Sequence, residues 1–145
     1  PAPVWARCTP SGDVPEPREH PSLVMWEAEN KLILYGGMSL SDATPYDTVH
    51  VYEVTDDTIN GGSISGFWSL VDDGTTTPTA RMQHSAVFNE ATSSMIVFAG
   101  IAGIPSIGFT LLNDLWSYHA ASESWTSLSP SGTAPAGRIR HAVAW

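Results

Sequence analysis

Apolar residues along this chain come in short runs, and the order of the runs repeats. Leu23-Val24-Met25 and Ala86-Val87-Phe88 are each followed by a brief polar turn, Glu29-Asn30 in the first case and Glu90-Ala91-Thr92 in the second. Then come Leu32-Ile33-Leu34-Tyr35 and Met95-Ile96-Val97-Phe98, continuous apolar runs closed by a small pair, Gly36-Gly37 and Ala99-Gly100. Runs this short, rich in β-branched and aromatic residues and bounded by turn residues, predict strands buried on both faces. Third strands are predicted at 47–52 and 113–118, and short fourth strands at 67–70 and 125–128. No long segment carries a 3.6-residue period, and prolines interrupt the candidates, so no helix is predicted.

A tryptophan count sets the frame for these strands. Ten residues after Trp5, Trp68 and Trp125 come Pro15, Pro78 and Pro135, and thirteen after come Arg18, Arg81 and Arg138. His20, His84 and His141 follow within three more residues. Trp5 and Trp68 are 63 residues apart, and Trp68 and Trp125 are 57 apart. The difference falls in two loops. Gly37 to Tyr52 takes 15 steps where Gly100 to Tyr118 takes 18, and Tyr52 to Trp68 takes 16 where Tyr118 to Trp125 takes 7. A constant framework with variable connections describes a repeat protein whose loops lie on the surface.

The combined string resembles a Kelch repeat: Pro78, Arg81, His84, Ser85 and Ala86 in Pro-x-x-Arg-x-x-His-Ser-Ala, then Met-Ile-Val-Phe-Ala-Gly, then Asn-Asp-Leu-Trp-x-Tyr, then Trp125. The resemblance covers nearly the whole chain, with two departures. His20 stands one place early, and Ala99 stands where the family prefers glycine. The resemblance implies an all-β fold of four-stranded antiparallel blades around a central channel. On that template residues 1–17 supply the outer strand of a preceding blade and its connection. Residues 18–71 and 82–128 form full blades, and 138–145 begin the inner strand of the next. Propellers close with four to eight blades, so the ring is incomplete in this chain. The expectation is a fragment of a larger propeller, with the remaining blades from further sequence or, less favoured, from other chains.

Composition narrows the function classes. A net charge of −9, with Lys31 the only lysine, excludes the basic face that nucleic-acid binding requires and disfavours anionic membranes. No apolar run reaches spanning length, so no membrane insertion is expected. Cys8 is the only cysteine, which rules out an internal disulfide and points to a cytoplasmic or other reducing intracellular compartment.

The recurring residues invite two interpretations. Arg18, Arg81 and Arg138 are candidates for a channel-mouth ring, since a guanidinium can be structural at its base and face ligand at its tip. His20, His84 and His141 read more readily as repeat-serving residues than as metal ligands. Trp5, Trp68, Trp125, Tyr52 and Tyr118, with Trp116 and Trp145, are expected to pack between blades. Gly36, Gly37 and Gly100 are expected to allow positive φ at a turn. Asp56, Asp57, Asp72 and Asp73 read as solvated turn acids, without calcium-loop spacing. The loop 101–112 stands apart. Ile101, Ile104, Ile107, Phe109, Leu111 and Leu112 make it apolar, so it either packs over the channel or meets a partner; Ile101, Ile104, Ile107, Phe109 and Leu111, with Met38 of the corresponding first-repeat loop, are the candidates for partner contact.

The leading expectation is therefore a protein–protein interaction or scaffold module, with no cofactor, no metal and no catalytic residues. The alternatives are a non-catalytic propeller part of a larger oxidase-like or metal-dependent enzyme, or a structural subunit of a multi-chain assembly. No Gly-x-Ser-x-Gly, His-Glu-x-x-His or iron-binding Glu-x-x-x-Asp-x-x-x-His pattern occurs, and nothing in the spacing groups Ser, His and Asp.

Overall fold

A computed structural model of the chain describes residues 10–56, 65–71, 77–104 and 106–144. Trp5, Cys8, Asp57, Asp72, Asp73 and Trp145 lie outside the described residues, as does the side chain of Asp56. The fold is all-β. The first full sheet contains β3 (Ser22–Trp26), β4 (Lys31–Tyr35), β6 (Val49–Asp56) and β7 (Ser65–Val71), and β1 (Ser11–Gly12) is added in parallel on the β7 edge. The second contains β8 (Ser85–Asn89), β9 (Ser94–Ile104), β10 (Gly108–His119) and β11 (Ser124–Leu128), antiparallel throughout. A two-stranded piece pairs β2 (Arg18–Glu19) with β5 (Met38–Ser39). The polar turns are single 3-10 turns at Glu27–Glu29 and Glu90–Thr92, each ended by a left-handed residue, Asn30 or Ser93.

The two sheets share one register. Leu32 pairs with Tyr52 and Tyr52 with Trp68; Met95 pairs with Tyr118 and Tyr118 with Trp125. The Tyr–Trp ring pairs therefore recur within each sheet, with centroids 5.1 Å apart in both. Alternation along the strands gives each sheet two faces. Val24, Ile33, Tyr35, Val49 and Val71 line one face of the first sheet. They bury against Met95, Val97, Tyr118 and Trp125 on the second. Trp125 reaches across, its ring 4.8 Å from that of Tyr35, so this aromatic cements both its own sheet and the junction. The inner strands β3 and β8 lie side by side at the narrow edge, and the ring is not closed.

Two stretches differ from the sequence expectation. Residues 138–144, expected to begin the inner strand of a next blade, form no strand. The apolar segment 101–112 is not a loose loop but the distal half of a β-hairpin. Residues Gly100–Ile104 pair with Leu112–Gly108, beyond a register shift between Leu112 and Leu115. Glycine at 103 and 108 tolerates the open backbone near the turn, and alternating Phe109, Leu111 and Ile101 suit a pleated ribbon better than a coil.

Candidate functional site

The repeated arginines sit where two sheets meet. The Arg81 main chain pairs with the sheet before it: its N–H donates to Tyr46 O at 3.1 Å, and its carbonyl accepts from Gly37 N at 2.9 Å. Arg138 does the same one step on, donating to Leu112 O at 3.1 Å and accepting from Gly100 N at 3.0 Å. The side chain turns to its own sheet. Arg81 Nε donates to Thr79 O at 3.0 Å, and Nη1 to Ala99 O at 2.9 Å. Both terminal nitrogens meet the Asp114 carboxylate at 2.7 Å in a bidentate pair. Burial would raise the Asp114 pKa, yet the hydrogen bonds from Arg81 and from Trp116 Nε1, with the guanidinium charge, hold it below the usual carboxylate range.

The channel-mouth assignment consequently needs correction at Arg81, whose side chain is 0% exposed. Its donors are consumed by carbonyls and a carboxylate of its own sheet, which leaves no tip for a ligand. Arg18 is half-buried and makes a neutral version of the same clamp. It donates to Glu16 O, Gly36 O and Thr48 Oγ1 at 3.1–3.2 Å and stacks over Tyr46 at 4.2 Å. Arg138 is exposed, and its Nε donates to Ala136 O at 3.0 Å.

The histidines divide into two kinds. His84 Nε2 hydrogen-bonds Ser22 Oγ of the preceding sheet at 2.8 Å, and its ring meets Tyr35 edge-on at 5.2 Å. His141 repeats both contacts one step on, with Ser85 Oγ at 2.6 Å and Phe98 at 5.3 Å. Each pair has a nucleophile–base distance, but among the described residues both His Nδ1 atoms are buried without a partner, and no carboxylate there orients the ring as a Ser–His–Asp relay requires. Burial, with the Arg81 and His141 charges, pushes the His84 pKa down to about 3, too low for a general base near neutrality. His20 belongs to the other kind. It occupies a left-handed turn at φ 55°, is exposed, and lies 3.9 Å from the Glu19 carboxylate. The Ser22 and Ser85 partners, both seventeen residues after a tryptophan, were missed in the sequence, although their shared offset marks them.

The glycine positions resolve into two types as well. Gly36 and Ala99 adopt φ 66° and 58°, so the positive-φ turn survives the alanine. Gly37 and Gly100 adopt φ 95° and 104°, and a Cβ there would lie 3.0 Å from Glu19 O or 2.9 Å from Met82 O. The first φ lies within the left-handed basin that alanine reaches, although at Gly36 itself a Cβ would lie 2.7 Å from Arg81 O; the second φ favours glycine.

The hairpin rises from the same end of the sheets as this junction. Ile107, Phe109 and Leu111 are 81%, 55% and 45% exposed, and no charged residue lies between Gly100 and Asn113. Ile101 has only 4% of its surface exposed and is held by mutual backbone bonds with Met82, so it offers nothing to a partner. Ile104 and Met38 are half-buried, the latter paired with Glu19 and Pro45. A cavity of about 460 Å³ adjoins β5, next to Met38, lined by Glu16, Pro17, Ser39, Leu40, Ser41, Asp42 and Tyr46. Among the described residues no group of three His, Cys, Asp or Glu side chains is placed to hold a metal, and no helix is long and apolar enough to cross a membrane.

Residues 2–145 match the family described as the KLHDC2/KLHL20/DRC7 Kelch-repeats domain. Among curated proteins, the chain is similar to multiple epidermal growth factor-like domains protein 8. It is 36% identical to the Mus musculus protein over 81 residues, which is 55% of this chain and 3% of that protein. Against the Rattus norvegicus protein it is 39% identical over 70 residues, 48% of this chain and 2% of that protein. The Homo sapiens protein matches at 34% over 77 residues, 53% of this chain and 3% of that protein. The chain thus spans only a few per cent of the length of the curated relatives it matches. With the sheets in propeller-blade form, the Arg–His junction repeated along them and the family match running from residue 2 to residue 145, this chain belongs to the Kelch-repeat family.

Proposed function

We propose that this chain is a binding module that holds a protein partner on the face carrying the β9–β10 hairpin. One observation carries the proposal: a charge-free ribbon projects beyond its blade with Ile107, Phe109 and Leu111 exposed. Exposed apolar side chains clustered on one projecting element mark interfaces more often than solvent surface. Membership of a Kelch-repeat family supports the same reading, because the repeat frame is occupied with holding blades together and leaves the connections free to recognise.

Affinity capture tests it, comparing the chain with a variant carrying Ile107→Ser, Phe109→Ser and Leu111→Ser. The variant should lose its partner, with near-ultraviolet circular dichroism and the unfolding midpoint nearly unchanged because all three side chains are exposed. Equal capture by both proteins would refute the hairpin as the contact.

A further inference from the structure

The first and second sheets do not close fully on each other. A cavity of about 270 Å³ is left between them, walled by Val49, Leu70 and Val71 of the first sheet and by Tyr118 and Trp125 of the second. Val49, Val71, Tyr118 and Trp125 belong to the shared core, so this wall is apolar and aromatic. Asp47 and Thr77, from the segments that flank the first sheet, complete it. Both are exposed, so the cavity reaches solvent past a carboxylate and a hydroxyl. None of its lining residues belongs to segment 100–112.

The repeat shows which part of this lining the frame requires. At the corresponding places on the second sheet, Leu115 stands for Val49 and Leu128 for Val71, but Asn113 stands for Asp47 and Ala134 for Thr77. Asn113 serves the frame, since its amide Nδ2 donates to Pro135 O at 3.3 Å. A carboxylate has no N–H to donate, so Asp47 cannot make the equivalent bond to Pro78. No hydrogen bond or ion pair engages the Asp47 carboxylate among the described residues. The neighbouring cations do not answer it either. Arg18 is spent on Glu16 O, Gly36 O and Thr48 Oγ1, and Arg81 on Thr79 O, Ala99 O and the Asp114 carboxylate. The apolar wall is thus common to both sheets, whereas the uncompensated charge is particular to this cavity.

We propose that the cavity between the two sheets binds an alkylammonium group, with its cation at Asp47 and its methylenes along Val49, Val71 and Trp125. A carboxylate beside aromatic and aliphatic walls matches a charged head on an apolar stem, because the acid pairs with the ammonium while the rings favour the cation and the methylenes next to it. The volume lies below the roughly 300–1,000 Å³ of pockets for drug-sized ligands, so it suits one extended side chain or one small amine. The net charge of −9 favours cations over anions at such an opening. A lysine side chain of another protein and a free amine share this chemistry. The site goes beyond the hairpin reading and does not depend on it.

The test titrates the isotope-labelled chain at neutral pH with n-butylammonium and with n-butanol, following the Val49 and Val71 methyl signals and the Trp125 indole signal. Butylammonium should shift all three, and butanol, of the same length without the charge, should bind at least about tenfold more weakly. Asp47→Asn, which installs the residue type the second sheet carries at this place, should weaken butylammonium about tenfold. Its unfolding midpoint should stay unchanged, because the Asp47 side chain is exposed and makes no bond that the fold would lose. Nα-acetyl-lysine methylamide separates the two sources: binding tighter than that of butylammonium assigns the site to a partner's lysine, and weaker binding assigns it to a free amine. Equal affinity for butanol and butylammonium, silence at Val49, Val71 and Trp125, or an unchanged affinity in Asp47→Asn would each overturn the site.

Discussion

At the scale of single residues, Arg81 is the strongest structural commitment in the chain. It is fully buried, satisfied by two carbonyls and a bidentate carboxylate, and its main chain ties one sheet to the next. Arg81→Met would leave Asp114 with only the Trp116 Nε1 hydrogen bond and no cation, and would remove the donor to the Ala99 carbonyl. The expected loss is about 2–4 kcal/mol in urea unfolding, and Arg81→Lys should recover only part, because an ammonium cannot reproduce the fork. A loss below about 1 kcal/mol for Arg81→Met would mean the clamp is not what holds this junction. The sequence exposed the recurrence of this arginine but not its partner. Asp114 stands where the first repeat has Thr48, and a change from hydroxyl to carboxylate reads as a surface variation until the register places it opposite a guanidinium.

At the scale of elements, the strands were legible and their ends were not. The apolar runs marked all eight blade strands because buried pleated segments demand β-branched and aromatic residues. The extra length of β9 and β10 escaped detection, since an apolar ribbon with glycines reads equally as a loop until cross-strand pairing is seen. The small pair closing the second strand of each blade shows the opposite case, in which local stereochemistry explains the residues in full. Gly100 sits at φ 104°, where a Cβ would press on the Met82 carbonyl, while Ala99 beside it sits at φ 58°. Gly100→Ala should therefore destabilise the chain by about 1–3 kcal/mol, whereas Ala99→Gly should change stability by less than about 1 kcal/mol. Thermal unfolding of the two variants decides the matter, and equal effects would contradict the assignment.

At the scale of the molecule, the junctions make stability depend on acid. His84 is pushed down to about 3, chiefly by burial, with the Arg81 and His141 charges adding to it. His50 is pushed down to about 4 by burial first and by Arg18 second, partly opposed by Asp13. Both groups are neutral in the fold at pH values where the unfolded chain, with ordinary histidines near 6.5, already binds protons. Their contribution is thus complete above about pH 6.5 and is lost progressively as the pH falls towards 4 and then 3. The lowered Asp114 carboxyl adds a loss with the same sign at still lower pH. The melting temperature should fall between pH 7 and pH 4.5, and His84→Asn should flatten that slope. A flat profile in the unmodified chain would contradict the burial assigned to these rings.

What the sequence determined by itself was the period, and through it the all-β class, the strand order and the family, because a repeated unit must satisfy the same packing at every pass. It could not tell which repeated side chain is consumed by the frame and which is left over. Arginine at position thirteen and the residue at position fifteen recur with equal regularity, yet Arg81 is enclosed while Gln83 and Arg140 have donors without a partner among the described residues. The cause is tertiary. At Arg81 its own blade closes around the guanidinium with carbonyls and a carboxylate, whereas at position fifteen neighbouring blades are joined by main-chain bonds and by the single side-chain bond from Arg140 Nε to Gln83 Oε1, so only the folded junction separates the residue consumed by the frame from the residue left at its surface.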